Sequence, residues 1–486
     1  MNRVFPSSVV LSLSLSACLP HGRTETPEPA ITFPDRFAEP ETLEEARDTG
    51  DDRWWLRYDD PALHALVESA LQRNVSLRNG YAAIEQARAL EDQARAARFP
   101  TFAAQGRLGF NRSITAFGSG ETWSVTGSLP VSYEVDLFAR AKSAARAATE
   151  SVIASELDAA ALAISTSAQV AEAWYSVVEA RARKKLLAEQ HRINETYLEL
   201  VRLRFEQGLA SVLDVHQQRQ LTAASGASLE LVDGELEVLR QQLAVLLGTP
   251  ASELGTLPER DEFPELGASP SPGIPASAVW ARPDVRAAQQ RVRSLDWQVG
   301  SAIASRLPTV TLDVTPSYLW QRADFSFGGM ASQPTTTTGW TVNAGATLNV
   351  PLFDGFAGRG RVDQQRAALQ QQVEALSTTV LNALLEVESA IVQERQQTRN
   401  VELLAQQAEI AGEALTSARD RYRTGLSDFL PVLTSLQSQQ GTQLQVLAAR
   451  RQQISSRIQL HRALGGAWAE RLDAPEPTEL IEGDEG

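Results

Sequence analysis

Trp340-Thr341-Val342-Asn343-Ala344-Gly345-Ala346-Thr347-Leu348-Asn349-Val350 alternates apolar and small or polar residues across eleven positions. Side chains alternate across a strand, so this segment forms one with an apolar face and a polar face. Working outward, Val310, Leu312 and Val314 alternate with Thr309, Thr311 and Asp313 just upstream. In the first half, Trp123, Val125, Gly127, Leu129, Val131, Tyr133 and Val135 alternate with Ser124, Thr126, Ser128, Pro130, Ser132 and Glu134. Phe102, Ala104, Gly106, Leu108 and Phe110 form a weaker fourth set. The predicted strands cover about 101–112, 122–136, 309–321 and 339–352. Segments of this kind, with Trp or Tyr near the ends, have the pattern of outer-membrane barrel strands, apolar toward lipid and polar toward the lumen. A half-buried soluble sheet gives the same period.

The chain repeats itself. Arg98-Phe99-Pro100-Thr101 recurs as Arg306-Leu307-Pro308-Thr309, Trp123-Ser124-Val125 as Trp340-Thr341-Val342, and Asp136-Leu137-Phe138-Ala139 as Asp354-Gly355-Phe356-Ala357. Arg204-Phe205-Glu206-Gln207-Gly208-Leu209 recurs as Arg421-Tyr422-Arg423-Thr424-Gly425-Leu426, with order kept and offsets of 208 to 218 residues. Two tandem repeats follow, 51–248 and 276–469. Between them 249–275 is rich in Pro, Gly, Ser and Glu, including Ser269-Pro270-Ser271-Pro272-Gly273, and is expected to be extended or mobile, as is the acidic tail 470–486.

After each strand pair the period changes to that of a helix. Ile153, Leu157, Ala160, Ile164, Ala168, Ala171, Tyr175 and Val178 follow steps of three and four, and the pattern runs from about 139 to 207. At ~1.5 Å per residue that is on the order of 100 Å. Its small residues permit close helix packing. The counterpart runs from about 358 to 424. Each long helix meets a glycine, Gly208 or Gly425, suited to a left-handed C-cap, and a second helical stretch follows. Helical hairpins are thus predicted over about 139–247 and 357–467.

Composition narrows the function. Of 486 residues, 43% are apolar and 22% charged, which excludes wholesale disorder. The net charge of -15 argues against nucleic-acid binding and for an acidic lumen or surface. Five histidines, His21, His64, His191, His216 and His461, lack metal-ligand spacing. Gly355, Gly358 and Gly360 follow a strand, but in the wrong order for a dinucleotide loop, and read as the exit from strand to helix. No enzyme, metal site or cofactor is expected.

The single cysteine, Cys18, closes an N-terminal segment in which Arg3 precedes an apolar stretch, Val9 to Leu15. Residues 1–17 read as a secretory signal. Leu15-Ser16-Ala17-Cys18 resembles the bacterial lipobox, which implies covalent lipid, palmitate included, on Cys18; the alternative is a free cysteine near an ordinary cleavage site. Residues 18–50 form an extended, Pro- and Glu-rich lead. Leu19 rather than Asp follows the cysteine, which favours the outer membrane. Beyond the signal no transmembrane helix is expected. A membrane role then falls to the strands. Four strands cannot close a barrel, and open edges in hydrocarbon leave backbone groups unpaired. Two copies would give eight strands, whose interior side chains nearly fill; three copies give twelve, and a trimer is predicted.

These features together resemble TolC-like outer-membrane factors, specifically the lipoprotein branch typified by OprM and NodT. The matching residues are Asp52-Arg53-Trp54-Trp55 through Asp59-Asp60-Pro61, Tyr133-Glu134-Val135-Asp136-Leu137-Phe138, Arg282-Pro283-Asp284-Val285-Arg286-Ala287-Ala288, Val350-Pro351-Leu352-Phe353-Asp354-Gly355, and Tyr422-Arg423-Thr424-Gly425. The resemblance implies a mainly α protein with a transmembrane β-barrel: a homotrimer with a twelve-stranded barrel in the outer membrane and an α-helical barrel crossing the periplasm. It implies a passive efflux channel of a Gram-negative bacterium, partnered by a periplasmic adaptor and an inner-membrane resistance-nodulation-division pump. In the family's closed tip, Leu430 matches the bulky ring position, and Thr434 falls where an acidic residue is usual. Asp428 is a candidate substitute, and Asp214 matches an acidic latch position. Helix capping or a solvated face is the plainer role for these residues. The competing reading of the whole chain is a lipid-anchored coiled-coil tether, which leaves four amphipathic strands without purpose.

Overall fold

The computed structural model describes residues 33–34, 53–116, 118–270, 275–327, 330–331 and 334–472. Cys18, the signal 1–17, the lead 18–50 apart from residues 33–34, and the tail beyond 472 therefore lie outside the described residues. The helices are α1 (Pro61–Arg73), α2 (Val75–Ala96), α3 (Arg140–Glu206), α4 (Val212–Leu246), α5 (Pro275–Ala281), α6 (Pro283–Ala304), α7 (Ala357–Arg423) and α8 (Leu430–Leu464). The strands are β1 (Thr101–Phe102), β2 (Gln105–Thr115), β3 (Gly118–Ser128), β4 (Val131–Val135), β5 (Thr309–Phe327), β6 (Met330–Ala331) and β7 (Thr335–Asn349). Corresponding helices match in length: α2 and α6 have 22 residues, α3 and α7 have 67, α4 and α8 have 35.

Two compact units emerge. One contains Gln86–Ile153 and Gln290–Glu374, and the other contains Ala154–Gln289 with the described parts of 30–85 and 375–486. Helices α2, α3, α6 and α7 contribute to both.

The first unit holds the sheet. Its four long passes form an antiparallel meander: β1 and β2, then β3 and β4, then β5, then β7. The first pass is interrupted at Ala103-Ala104 and the second at Leu129-Pro130. Pro130 has no N–H for the ladder. Face parity survives the second break, because Ser128 pairs with Ser317 and Val131 with Val314. At the turn ends the strands run farther than alternation predicts, β2 to Thr115, β3 from Gly118, β5 to Phe327 and β7 from Thr335. Gly118-Ser119-Gly120 and Thr335-Thr336-Thr337-Thr338 carry no apolar period, so pairing alone defines them. At the opposite end β7 stops at Asn349, before Pro351.

Each strand-to-helix turn is strained and capped alike. Ala139 (φ 58°) and Phe356 (φ 69°) occupy the left-handed region, rare for residues with a Cβ. The Asp136 carboxylate accepts from the N–H groups of Ala141 (3.2 Å) and Lys142 (2.9 Å), and Asp354 accepts from Gly358 (2.5 Å). An aspartate at a helix start satisfies donors that have no intrahelical partner. Arg140 grips Glu134 through both carboxylate oxygens, at 2.7 and 2.8 Å, tying α3 to β4.

The second unit has separate apolar cores: a large one, a smaller one on the same long helix, and a cluster of Val387, Ala390, Ile391, Leu460 and Ala463. In the larger, the stripe read from sequence on α3 is buried from Ala160 through Val178, while Leu157 is buried outside that core and Ile153, in the first unit, is half-buried. Trp54, Trp55 and Tyr58 insert among those residues together with Ile454, Ile458 and Trp468. Trp174 donates its indole N–H to Asp60 at 2.8 Å, and Trp54 donates to Ser167 at 3.2 Å. The smaller core, Tyr197, Val201, Leu415, Tyr422, Phe429, Val432 and Leu436, lies near the hairpin tips. In sequence between the two cores on α3 comes a buried amide cluster: Gln440 donates to Asn194 Oδ1 (2.9 Å), Gln190 to the Gln440 carbonyl (3.1 Å), and Gln218 to the Asn194 carbonyl (2.9 Å).

Two helix ends dock by the same device. Asn74 Nδ2 donates to the Leu246 carbonyl at the end of α4 (2.8 Å), and Arg282 donates to the Ala463 carbonyl at the end of α8 (2.9 Å). The stretch between the repeats is extended but held: Arg181 donates to the Pro258 carbonyl (2.5 Å), Arg457 to the carbonyls of Gly267 and Ala268, and Leu257 is buried.

One helix bears on the expectation that no transmembrane helix follows the signal. Helix α7 contains a window of 18 residues with mean hydropathy 1.3, apolar enough by length and composition to cross a membrane, of which 33% is buried. The helix has two apolar sides: Leu376, Val380, Ala383, Val387 and Ala390 are buried, whereas Leu381 and Leu385 are exposed. The double use raises its hydropathy.

Two measurements check this packing. A Cβ on Gly248, at φ +69°, would stand 2.2 Å from the Arg73 carbonyl oxygen, while a Cβ on Gly267 meets open space. Gly248→Ala is expected to cost about 2–4 kcal/mol and Gly267→Ala less than about 0.5 kcal/mol, read as thermal melting of the detergent-purified protein. His461, buried and stacked on Trp54 at 5.4 Å, is pushed down to about 3 by burial, with Arg457 and Arg57 adding repulsion. Between that value and the ordinary 6.5 the native state binds fewer protons than the unfolded chain, so stability is full above pH 6.5 and declines below it. The difference between the protein and His461→Gln should change by up to about 1.4 kcal/mol per pH unit across pH 4.5–6.5.

Candidate functional site: an uncovered sheet and two helical tips

The sheet presents its apolar residues on one face. Across the register, Leu108, Val125 and Trp320 form one row, Phe110, Trp123 and Arg322 the next, and Arg112, Glu121 and Asp324 the one after, with Ile114, Ser119 and Ser326 beyond it toward the β2–β3 turn. In the other direction come Tyr318 with Trp340, then Val131 with Val314, Tyr133 with Leu312, and Val135 with Val310 and Leu348. Aromatic rings pair across strands, Phe110 with Trp123 at 4.5 Å and Tyr318 with Trp340 at 5.0 Å. This face stays open to solvent: Leu108 is 82% exposed, Trp340 77% and Val342 68%. Charge interrupts the band toward the turn end, where Arg112 meets Glu121 (3.4 Å) and Arg322 meets Asp324 (3.7 Å), with exposed Ile114 beyond. The opposite face carries Ser124, Thr126, Ser128, Thr341, Asn343 and Thr347 at alternate positions. Among the described residues β2 pairs only with β3 and β7 only with β5, so both outer edges are unpaired.

At the helical tips the glycines do what their type allows. Gly208 (φ 72°) and Gly425 (φ 76°) end α3 and α7, with Leu209 N–H donating to the Arg204 carbonyl (2.8 Å) and Leu426 N–H to that of Arg421 (2.8 Å). Asp214 forms a capping box with Ser211 at the start of α4: its carboxylate accepts from Ser211 N–H (2.9 Å), and its N–H donates to Ser211 Oγ (3.2 Å). Leu430 opens α8 and is 51% exposed, with Pro431 next in the first turn. Asp428 is exposed beside it, and the Thr434 hydroxyl donates back to the carbonyls of Leu430 (3.1 Å) and Pro431 (3.2 Å). The tip thus gathers Asp428, Leu430 and Thr434 on one segment, with Asp214 on the other hairpin.

Sequence reasoning missed the aromatic clamp behind them. Tyr422 packs on Phe429 (5.5 Å) and under the Arg204 guanidinium (4.2 Å), and Arg419 hydrogen-bonds the Tyr197 hydroxyl. Phe429 is the anchor, buried next to the exposed Leu430. Among the described residues no cluster of three His, Cys, Asp or Glu side chains is placed to hold a metal ion.

The sequence profile of the outer membrane efflux protein family matches residues 66–249 and 274–466. The chain belongs to that family. It is similar to the pyoverdine export outer membrane protein OpmQ of Pseudomonas putida, at 30% identity over 96% of this chain and 97% of that protein. It is also similar to the outer membrane protein OprJ of Pseudomonas aeruginosa, at 29% identity over 96% of both. Among solved structures, the outer-membrane channel OprN superposes with a TM-score of 0.80 at 26% identity, over 91% of this chain and all of that one. The Campylobacter jejuni CmeC outer membrane channel gives 0.81 at 18% identity over 94% and 97%, a likeness of fold alone. The matched spans take in α2 to α4 with β1 to β4, and α5 to α8 with β5 to β7.

Asp214→Ala removes one half of a capping box in this family member. It should lower stability by about 1 kcal/mol, measured as a lower melting temperature, with Asp214→Asn losing less because its amide oxygen can still accept from Ser211 N–H.

Proposed function

We propose that this protein is the outer-membrane channel of a tripartite efflux system, a homotrimer that passively exports substrates handed over from an inner-membrane pump. The observation that carries this reading is the uncovered apolar face of a four-pass sheet whose two edges are unpaired. Lipid is the solvent that suits such a face. From Val310 to Trp320 the apolar band on β5 spans a rise of ten residues. At ~3.3 Å per residue and the ~40° tilt usual in barrels, its height is about 25 Å, that of a bilayer's apolar band.

Edges in hydrocarbon cost several kcal/mol for each unpaired group, so copies join edge to edge. An even number of passes makes β7 of one copy antiparallel to β2 of the next, and three copies give twelve strands around a polar lumen. The equal helix lengths and the two matched spans of the family profile support descent of both halves from one repeat. Exposed Leu231, Val238 and Val245 on α4, and Leu403 and Ile410 on α7, recur every seven residues and supply seams for neighbouring copies in a periplasmic helical barrel. Exposed Leu209, Leu213 and Leu426 give the periplasmic adaptor an apolar surface at the tips. Leu430, ringed three times, narrows the closed tip, with Asp428 as its acidic neighbour and Asp214 as a latch. Lipid on Cys18 anchors the chain to the outer membrane. The relatives OpmQ and OprJ, an export protein and an outer-membrane protein by name, support the setting.

In planar bilayers the purified protein is expected to give discrete conductance steps, and native mass spectrometry a trimer. Monomers that pass no current would reject the channel and favour the tether. Removing the apolar ring by Leu430→Ala should raise conductance by about twofold or more, because apolar constrictions gate by dewetting. Unaltered conductance would take Leu430 out of the gate.

A further inference from the structure

Three arginines meet at one polar cavity of about 510 Å³ in the second unit: Arg181 on α3, Arg240 on α4 and Arg260 on the stretch between the repeats. The acids around them are mostly committed. Asp261 pairs with Lys185 at 2.7 Å, Asp60 with Arg260 at 3.4 Å, Asp233 with Lys184 at 2.5 Å, and Glu235 with Arg183. Arg181 donates to the Pro258 carbonyl, and Arg260 to the carbonyls of Glu262 (2.9 Å) and Asp59 (3.2 Å). Arg240 differs. Among the described residues it makes no hydrogen bond or ion pair, although its Nε is buried. Burial and the charge of Arg240 both hold Arg181 below the ordinary arginine range, so the two guanidiniums repel each other.

A half-buried guanidinium with no acceptor on the described protein, set against a second one, is an arrangement that an anion between them favours. The planar fork of arginine matches the two oxygens of a carboxylate or phosphate, and such charge-assisted pairs are among the strong hydrogen bonds. We propose that this cavity binds an oxyanion, a carboxylate or phosphate group, with Arg240 as principal contact and Arg181 and Arg260 closing the site. Glu259, exposed and also lining the cavity, sets its negative charge beside Arg181 and so competes with a bound anion. Its presence weakens binding and makes the site responsive to anion concentration.

The test is thermal melting of the full-length, detergent-purified protein titrated with sodium phosphate or sodium citrate, against sodium chloride at equal ionic strength. At least one of the two oxyanions is expected to raise the melting temperature beyond the chloride control, and which one does so identifies the group bound. Arg240→Gln should weaken that response about tenfold or more, yet melt no lower than the parent protein in chloride, since the repulsion with Arg181 is gone. Glu259→Gln leaves all three arginines in place and should tighten the response. The proposal is overturned if neither oxyanion exceeds chloride, if Arg240→Gln responds like the parent, or if Glu259→Gln leaves the response unchanged.

Discussion

Backbone hydrogen bonding at the rim of the sheet governs the rest of this molecule. A strand pass has a donor and an acceptor at nearly every residue, and among the described residues β2 and β7 each satisfy only one side. In water that is a liability managed by solvent. In a bilayer it is forbidden, and the apolar face between those edges belongs in a bilayer. The edge-to-edge assembly proposed above removes that conflict.

The helices answer a different constraint, the need to leave a sheet and enter a helix within a few residues. Both exits use the same solution, an aspartate cap behind a residue with positive φ, and in both that residue has a Cβ. Strain of this kind persists only where surroundings overdetermine it. The Arg140–Glu134 pair supplies part of that on the first exit.

What could be read from sequence was whatever depended on local periodicity. The face parity of Trp123 to Val135 survives even the break at Pro130, and Gly208 and Gly425 adopt the left-handed turns their residue type allows. Features set by distant partners stayed hidden. Thr335 to Thr338 form a strand because β5 pairs with them, not because of any pattern of their own. Gln190, Asn194, Gln218 and Gln440 look like a solvated helix face in sequence, yet they are buried and bonded to one another across three helices. At the tip, Asp428, Leu430 and Thr434 were found through a family motif, whereas Phe429 between them carries the packing. Arg240 gave no signal at all, since a lone arginine on a helix is ordinary until its neighbours are known.

Helices α3 and α7 each span 67 residues. One extra residue in either alone would advance its far end by about 1.5 Å and turn it by about 100°. Arg204 would then no longer meet the Tyr422 ring, and Tyr197 would turn away from Arg419. The two halves are thus coupled like the scales of a vernier. A change of length in one long helix is compensated at these contacts only by an equal change in the other.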